Sequence, residues 1–183
     1  MENEEYLREE KLSSEKIFDG VILHVVRDEI KLSNGNKSTR EVIRHVGAVG
    51  VVPVTDNNEV IVERQYRYPL DEVITEIPAG KLDSKEEDRL SAAKRELQEE
   101  TGITADTWTN LGDFHPAAAY SDERLTLYLA QGLHFGSQNL DDDELLNVKK
   151  VPISDLVDEI MDGTITDSKT IAAILKTARI LGI

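Results

Sequence analysis

Apolar residues alternate with polar ones, or form short unbroken runs, over much of this chain. Residues 46–54 are almost all small and apolar, which predicts a central strand buried on both faces. Segments 21–27 and 39–45 flank Asn34-Gly35, a dipeptide that favours a tight hairpin turn. The pattern therefore predicts a sheet that is preceded by an antiparallel β-hairpin.

The rest of the chain continues as strands and helices. Capping residues predict a helix from Ser154 to Met161 and another from Asp167 or Ser168 to Leu181. A longer helix is predicted over about 86–101, and residues 1–15 are predicted to form a frayed or short helical lead. Further strands are predicted over residues 59–68, 73–77, 107–114, 124–131 and 145–151. This order of elements indicates an α/β fold, a mixed sheet with helices on its faces.

Composition narrows the classes of function. The 183 residues fit one domain or one domain with a small appendage. The formal net charge of −15 opposes binding to nucleic acid, and no segment is apolar enough to span a membrane. The charged start has no apolar core typical of a secretory signal, and the absence of cysteine suits a reducing compartment. We therefore expect a cytoplasmic protein without nucleic-acid or membrane partners.

Carboxylates cluster on the predicted helix over 86–101. Glu96 and Glu100 are four residues apart and share a helix face, with Glu99 beside them. That face borders the apolar stripe that contains Leu97, so the like charges need neutralisation. A hard divalent cation such as Mg²⁺ prefers such oxygen ligands together with substrate phosphates. A solvated acidic face is the alternative interpretation of this pattern.

The segments flanking these carboxylates strengthen the metal interpretation. Pro78-Ala79-Gly80 predicts a tight turn before the helix, and Gly102 is placed to end it. The whole unit resembles the Nudix box, the signature of hydrolases that cleave nucleoside diphosphates linked to another group. The residues that match it position for position are Arg95, Glu96, Leu97, Glu99, Glu100, Gly102 and Ile103.

The loop before the helix departs from the Nudix pattern. Counting back from Arg95 places the leading glutamate of the box at Glu87, but Gly80 then stands one residue too early. The loop therefore has one extra residue, and either Glu86 or Glu87 takes that position.

Four segments outside the box are similar to the ADP-ribose pyrophosphatase branch of the family. The resemblance extends from about Ser14 to Val151 and implies a Nudix-type α/β/α sandwich, with residues 1–45 as an N-terminal β subdomain and residues 46–183 as the hydrolase domain. It further implies a homodimer, in which the N-terminal subdomain of one subunit contacts the substrate of the other. The segments are 40–49, 63–69, 76–80 and the loop 115–123, where Pro116 matches a proline of this branch.

The resemblance also implies substrate-binding residues. Arg67 would contact the diphosphate or the adenosine, and Glu76 would point into the cleft, although a surface ion pair and a sheet-edge charge are the alternatives. Arg40 and Pro116 would contact substrate, but Arg40 also fits a hairpin surface. Phe18 could offer an aromatic face to the adenine, while a strand aromatic more often belongs to the core.

The implied reaction is hydrolysis of ADP-ribose to AMP and ribose 5-phosphate with Mg²⁺, and Mn²⁺ is the alternative metal. Glu96, Glu99 and Glu100 would be metal ligands, joined by the Ala79 carbonyl. Arg95 would pair with Glu99 and hold it in place. A later acidic residue would complete the catalytic site as base or ligand, with Glu144 as the match and Asp142 second; a solvated acidic turn is the alternative.

Three other functions stay open at this point. One is a Nudix hydrolase of another nucleoside diphosphate sugar, such as GDP-mannose, or of a dinucleotide. Another is a sensor that binds ADP-ribose without cleaving it. The third is a scaffold protein with an incidental acidic helix, which the match over several segments disfavours.

Overall fold

The computed structural model describes residues 4–140 and 145–183. A short 3₁₀ turn, Glu4–Leu7, precedes the first strand. The chain then forms ten strands and three helices within the described residues. The strands are β1 (Glu9–Asp19), β2 (His24–Leu32), β3 (Lys37–Arg44), β4 (Ala48–Pro53), β5 (Glu59–Arg67), β6 (Glu72–Glu76), β7 (Ala79–Lys81), β8 (Ile103–Phe114), β9 (Leu125–Phe135) and β10 (Leu146–Pro152). The helices are α1 (Arg89–Thr101), α2 (Ile153–Met161) and α3 (Ser168–Leu181).

The described chain divides into two compact units. One unit contains the residues up to Val46 together with Ala117–Arg124, and the other contains Gly47–Pro116 and Leu125–Ile183. The later segment joins the first unit through backbone hydrogen bonds on either side of Ile43, from Ile43 N to Tyr120 O at 2.8 Å and from Asp122 N to Ile43 O at 3.2 Å. The amino-terminal unit is therefore completed by a segment from the middle of the sequence.

The first unit is a three-stranded antiparallel sheet in the order β1-β2-β3. The prediction of a polar, frayed lead over residues 1–15 is wrong from Glu9 onward, because β1 begins there and pairs with β2 along its length. Every residue of β1 is exposed, so the strand lacks the apolar alternation that marks a half-buried strand. The predicted strand over 21–27 is also displaced, because Gly20 N bonds to Leu23 O in a turn and β2 starts at His24.

The second unit contains two sheets and the three helices. Strand β4 lies inside a four-stranded mixed sheet, order β7-β4-β9-β8, with β9 parallel to it and β7 antiparallel. All six residues of β4 are buried, which confirms the central strand predicted for residues 46–54. Helices α1 and α3 both contact β4. The other sheet has the order β10-β5-β6 and is antiparallel throughout. The α/β fold class is confirmed.

Capping residues determine where α1 begins and ends. The side chain of Asp88 accepts a hydrogen bond from Ser91 N at 2.9 Å, so the helix starts at Arg89 and not at 86. Gly102 has φ of 70° and donates its N–H to Gln98 O at 2.9 Å, a left-handed ending that a side chain would strain. The predicted role of Gly102 is confirmed, and the helix presents the carboxylates on a defined face.

Candidate active site

The acidic residues of α1 lie where the helix meets the end of the mixed sheet. Glu96 and Glu100 are both buried, with 9% and 5% of their surface exposed, whereas the Glu99 side chain is 39% exposed. Leu97 and Ala93 on the same helix are fully buried. The helix therefore holds two carboxylates at the margin of the core, as its periodicity predicts.

Arg95 holds the acidic cluster together. Its Nη1 donates to Glu96 Oε1 at 2.8 Å and to Glu99 Oε2 at 3.1 Å, and its Nη2 donates to Glu87 Oε1 at 3.3 Å. Burial alone would lower the pKa of Arg95, but the charge of Glu96 and the hydrogen bonds to the other glutamates outweigh it and raise the pKa. The guanidinium therefore remains charged and fixes the rotamers of three acidic side chains.

The Arg95 contacts also identify the leading glutamate of the box. Glu87 receives the Arg95 hydrogen bond and accepts another from Asp83 N at 2.6 Å. Glu86 is exposed, and its backbone N–H bonds to Ser84 Oγ. Glu87 therefore takes the position, and the extra residue is accommodated in the turn that precedes α1.

The turn before α1 brings backbone against these carboxylates. Ala79 N donates to Glu100 Oε2 at 2.9 Å, across 21 residues of sequence. A Cβ atom added at Gly80 would overlap the Glu96 carboxyl group, well inside the 3.0 Å that real Cβ atoms keep. Glycine at position 80 therefore allows the Glu96 carboxyl group to keep this place, and a larger residue would displace it.

These side chains share one cavity. It has a volume of about 290 Å³ and lies entirely within the second unit. Three of its residues, Lys81, Asp83 and Asn139, were not expected from the sequence. Asn139 N also donates to Glu99 O at 2.9 Å. The residues lining the cavity are Ala79, Gly80, Lys81, Asp83, Arg95, Glu96, Glu99, Glu100 and Asn139. All the residues predicted to hold a metal are among them.

The donor set fits a hard cation without forming a closed cage. Within residues 4–140 and 145–183, no three His, Cys, Asp or Glu side chains are arranged so that they could hold one ion. The carboxylates are instead oriented toward Arg95 and Ala79 N. A carboxylate has about four lone-pair sites, so these hydrogen bonds leave capacity for a metal. Mg²⁺ usually retains several waters and takes only one or two carboxylates beside substrate phosphates.

A second polar network lies along the antiparallel pair β5 and β6. Arg67 Nε and Nη2 donate to the two Glu76 oxygens at 2.5 and 2.8 Å, a bidentate pair. Glu76 lies on the edge strand β6 but is only 2% exposed, so its pair with Arg67 is not an ordinary surface ion pair. Burial alone would raise the pKa of Glu76, but the hydrogen bonds and charges of Arg67 and Lys169 outweigh it and lower the pKa.

Residues of α3 complete this network, and none of them was identified from the sequence as part of a site. Lys169 Nζ forms an ion pair with Glu76 and lies 3.1 Å from Asp167. Asp167 caps α3 by accepting from Thr170 N, which confirms one of the two predicted caps. Thr170 Oγ1 accepts from Ile77 N at 2.9 Å. The start of α3 therefore holds the strand that leads into Ala79 and Gly80.

The other predicted substrate residues are not among those that line the cavity. Arg40, on β3 of the first unit, forms an ion pair with Glu9 on β1. Pro116 is exposed in the turn after β8 and is not among the residues lining the cavity. Phe18 is 55% exposed and so is not part of a core within this chain. Glu144 and Asp142, the predicted base or ligand, fall outside the described residues.

The loop segment 121–123 has a structural role in the first unit. Asp122 accepts from Arg44 Nη1 at 3.1 Å and from His45 N at 2.7 Å, and Arg44 also donates to the buried Asp28 at 2.9 Å. These bonds tie the segment to the three-stranded sheet.

The turn at Ala79 and Gly80 lies against a glutamate-rich helix, and Arg95 holds the carboxylates beside a cavity. Such carboxylates have oxygen atoms of the kind that a hard cation prefers. The NUDIX domain family model matches residues 44–174. The chain belongs to the Nudix family of hydrolases. Nudix hydrolases generally use divalent metal ions.

Individual proteins are similar to the chain over most of its length. The ADP-ribose pyrophosphatase of Bacillus subtilis (strain 168) is 38% identical over 170 residues, which is 92% of this chain and 91% of that protein. The methanol dehydrogenase activator of Bacillus methanolicus is 38% identical over 168 residues, 91% and 90% of the two chains. A crystal structure of an ADP compounds hydrolase matches with a TM-score of 0.85 at 25% identity, over 96% of this chain and 95% of that one.

Among the described residues, no helix is both long and apolar enough to cross a membrane.

Proposed function

We propose that this protein hydrolyses the diphosphate of ADP-ribose to AMP and ribose 5-phosphate. The observation that carries the proposal is the convergence of Glu96, Glu99 and Glu100 on one cavity beside Ala79 and Gly80. The substrate is supported by two relatives named ADP-ribose pyrophosphatase, from B. subtilis at 38% identity and from Mycobacterium tuberculosis at 36%.

The residues of the cavity suit phosphoryl chemistry. Glu96, Glu99 and Glu100 would hold divalent ions, with the Ala79 carbonyl as a further ligand; Mg²⁺ is the expected metal and Mn²⁺ a possible one. When bound, such ions neutralise charge on the diphosphate and lower the pKa of a bound water. Arg95 keeps the carboxylates in place for this role, because it bonds to both Glu96 and Glu99.

Three further residues are assigned to substrate and proton transfer. Arg67 binds the diphosphate or the adenosine part, since its guanidinium is held in a fixed fork by Glu76 and remains 41% exposed. Glu76 contributes to the same part of the cleft by holding Arg67. Glu144 acts as the general base or as a further ligand, with Asp142 as the alternative, because a water must be deprotonated and placed in line with the scissile bond.

The amino-terminal unit serves dimerisation and contributes to the substrate site of a second copy. The support is its unusually apolar surface in a single chain: Phe18 is 55% exposed, Val21 91% and Ile22 59%. Arg40 of this unit and Pro116 of the second unit are further candidate contacts to substrate, as the family resemblance implies. Sedimentation should show a dimer, and Phe18→Asp should shift it toward the monomer.

We also propose that the protein is cytoplasmic and that it binds a small anionic substrate but neither nucleic acid nor membrane. A net charge of −15 repels polyphosphate chains, and the absence of cysteine suits a reducing compartment.

Hydrolysis of another nucleoside diphosphate sugar is the second candidate. Two relatives, from Yersinia enterocolitica and Pectobacterium atrosepticum, are named GDP-mannose pyrophosphatase and are 29% and 31% identical. A sensor that binds ADP-ribose without cleavage is disfavoured by the complete set of box carboxylates.

Product analysis tests the proposal. The protein is incubated with ADP-ribose, GDP-mannose or a dinucleotide, each with Mg²⁺ and with or without EDTA, and the products are separated by chromatography. We expect AMP and ribose 5-phosphate from ADP-ribose, with no turnover in EDTA. Faster cleavage of GDP-mannose would select the second candidate, and calorimetric binding of ADP-ribose with no product would select the sensor.

A further inference from the structure

Lys169 lies in the first turn of α3 and is 13% exposed at its side chain. Its ammonium group contacts two carboxylates, Glu76 and Asp167. Glu76 is 93 residues away in sequence and is itself held by Arg67. A lysine this buried loses hydration and rotamer freedom, so its contacts to charged partners have to offset that loss.

The two acidic partners of Lys169 differ in how their charge is balanced. Asp167 is the N-cap of α3, where the partial positive charge of the helix terminus stabilises an anion. It also accepts from Thr170 N at 2.9 Å and from Thr170 Oγ1 at 2.6 Å. Glu76 ends a strand and gains no such support, so its compensation comes from cations. Lys169 is therefore matched mainly to Glu76.

Glu76 contacts two cations, Arg67 and Lys169, and shares the second of them with Asp167. Arg67 binds it through Nε and Nη2, and none of the hydrogen bonds among the described residues uses Arg67 Nη1. Arg67 and Lys169 together face two carboxylates, Glu76 and Asp167. Because the N-terminus of α3 also stabilises Asp167, Lys169 takes up part of the charge of Glu76, and part of the charge of the fixed, partly exposed Arg67 guanidinium is left unmatched. In a chain of net charge −15, such a group favours a phosphate ligand.

We propose that Lys169 is a positioning residue that neutralises Glu76 and so leaves the charge of Arg67 available to the diphosphate of the substrate. This inference rests on the proposed function, in which Arg67 binds substrate. Lys169 itself acts through Glu76 and Arg67. Without it, Arg67 becomes the sole counter-ion of a buried carboxylate and attracts a second anion less strongly.

A purely structural role for Lys169 makes different predictions. Thr170 already ties α3 to the strand end, because Ile77 N donates to Thr170 Oγ1 at 2.9 Å. If Lys169 served only to attach the helix, Lys169→Met and Thr170→Val would both lower the melting temperature and neither would change ligand affinity. Lys176, two turns further along α3, donates to Leu111 O, and Lys176→Met removes the same charge from the same helix as a control.

The test is calorimetric titration of the full-length protein with the α,β-methylene analogue of ADP-ribose in Mg²⁺, with ADP as a second titrant. We expect Lys169→Met to weaken binding about tenfold, within the usual coupling of contacting charges, while Lys169→Arg restores it and Lys176→Met leaves it unchanged. In steady-state assays the change appears in KM and not in kcat. Lys169→Gln is a second neutral variant if Lys169→Met fails to fold.

A double-mutant cycle gives the sharpest outcome. In a Glu76→Gln background the carboxylate is already neutral, so Lys169→Met should cost little further affinity. The proposal is overturned if Lys169→Met binds both titrants as tightly as Lys176→Met, or if its loss is equally large in the Glu76→Gln background. Failure of the proposed function is separate: the wild type would then not cleave ADP-ribose, while the Lys169 effect on ADP binding would still be measurable.

Discussion

Gly80 lies against the carboxyl group of Glu96, so closely that a Cβ atom at position 80 would occupy the space of that carboxylate. Gly80→Ala must therefore displace either the turn or Glu96. We expect kcat/KM to fall about 100-fold, the usual scale for a shift of about 1 Å in a catalytic group. Steady-state kinetics at saturating Mg²⁺ measures the effect.

Gly50→Ala is the control for Gly80→Ala. A Cβ there would meet the Leu127 and Ile77 side chains at 3.0 and 3.2 Å, so it crowds the core without touching the carboxylates. This variant should lose stability while keeping its activity per folded molecule. Equal activity of Gly80→Ala and wild type would refute the spatial argument for Gly80.

Arg95 organises three glutamates, and a lysine cannot reproduce its planar set of donors. Arg95→Lys should lower the apparent affinity for Mg²⁺ by about 10- to 100-fold, as expected for a residue that orients metal ligands. Arg89→Lys is the matched control, because Arg89 lies on the same helix but donates to Ala48 O and Thr126 Oγ1. Mn²⁺ titration followed by electron paramagnetic resonance reports the affinity directly, and an unchanged value for Arg95→Lys would exclude this role.

Glu100→Gln keeps a side-chain oxygen that can accept from Ala79 N but removes the negative charge. We expect turnover to be abolished while the circular dichroism spectrum and melting temperature remain near those of wild type. Glu86→Gln, an exposed change in the same box, should leave activity intact. Near-normal rates of Glu100→Gln in saturating Mg²⁺ would remove Glu100 from the ligand set.

Glu144→Gln should lower kcat at least about 100-fold, the lower range for loss of a general base. Asp142→Asn, in the same acidic segment, should have little effect if Glu144 is the base. The pair of variants separates the two candidates by their kcat values at constant Mg²⁺. The reverse result would assign the base to Asp142, and two unchanged rates would remove the segment from the mechanism.

The buried Glu76 makes stability depend on acid pH. Its folded-state pKa lies below its ordinary value of 4.5, so the carboxylate is favoured in the folded protein. Its stabilisation is fully present above about pH 4.5 and is lost as the pH falls further. Urea unfolding measures the difference in the free energy of unfolding between wild type and Glu76→Gln. This difference should be constant from pH 7 to about pH 4.5 and should shrink at lower pH. Glu72→Gln, an exposed change on β6, should show no such trend, and a gap that stays constant into acid would contradict the assignment.

Local pattern was sufficient for the helix and its carboxylates. The i, i+4 spacing of Glu96 and Glu100, the stripe around Leu97 and the left-handed end at Gly102 are properties of one segment, and the structure has all three. The buried strand β4 was equally predictable, because an unbroken run of small apolar residues is compatible with few structures other than a buried strand.

Features that depend on contacts between residues far apart in sequence could not be predicted from the sequence. Strand β1 is held by pairing with β2 and has no apolar alternation, so its sequence resembles a polar lead. Lys169 joins Glu76 across 93 residues, and an isolated lysine at the start of a helix gives no sign of such a partner. Asn139 reaches the cavity only because the segment after β9 folds back to bond with Glu99 O.

A crystal structure with Mg²⁺ and a non-cleavable ADP-ribose analogue tests the central claim most directly. We predict metal density joining carboxylate oxygens of Glu96, Glu99 and Glu100 to the diphosphate, with Arg67 on the ligand. Density for the analogue without metal at these three side chains, or metal bound elsewhere in the chain, would contradict the account.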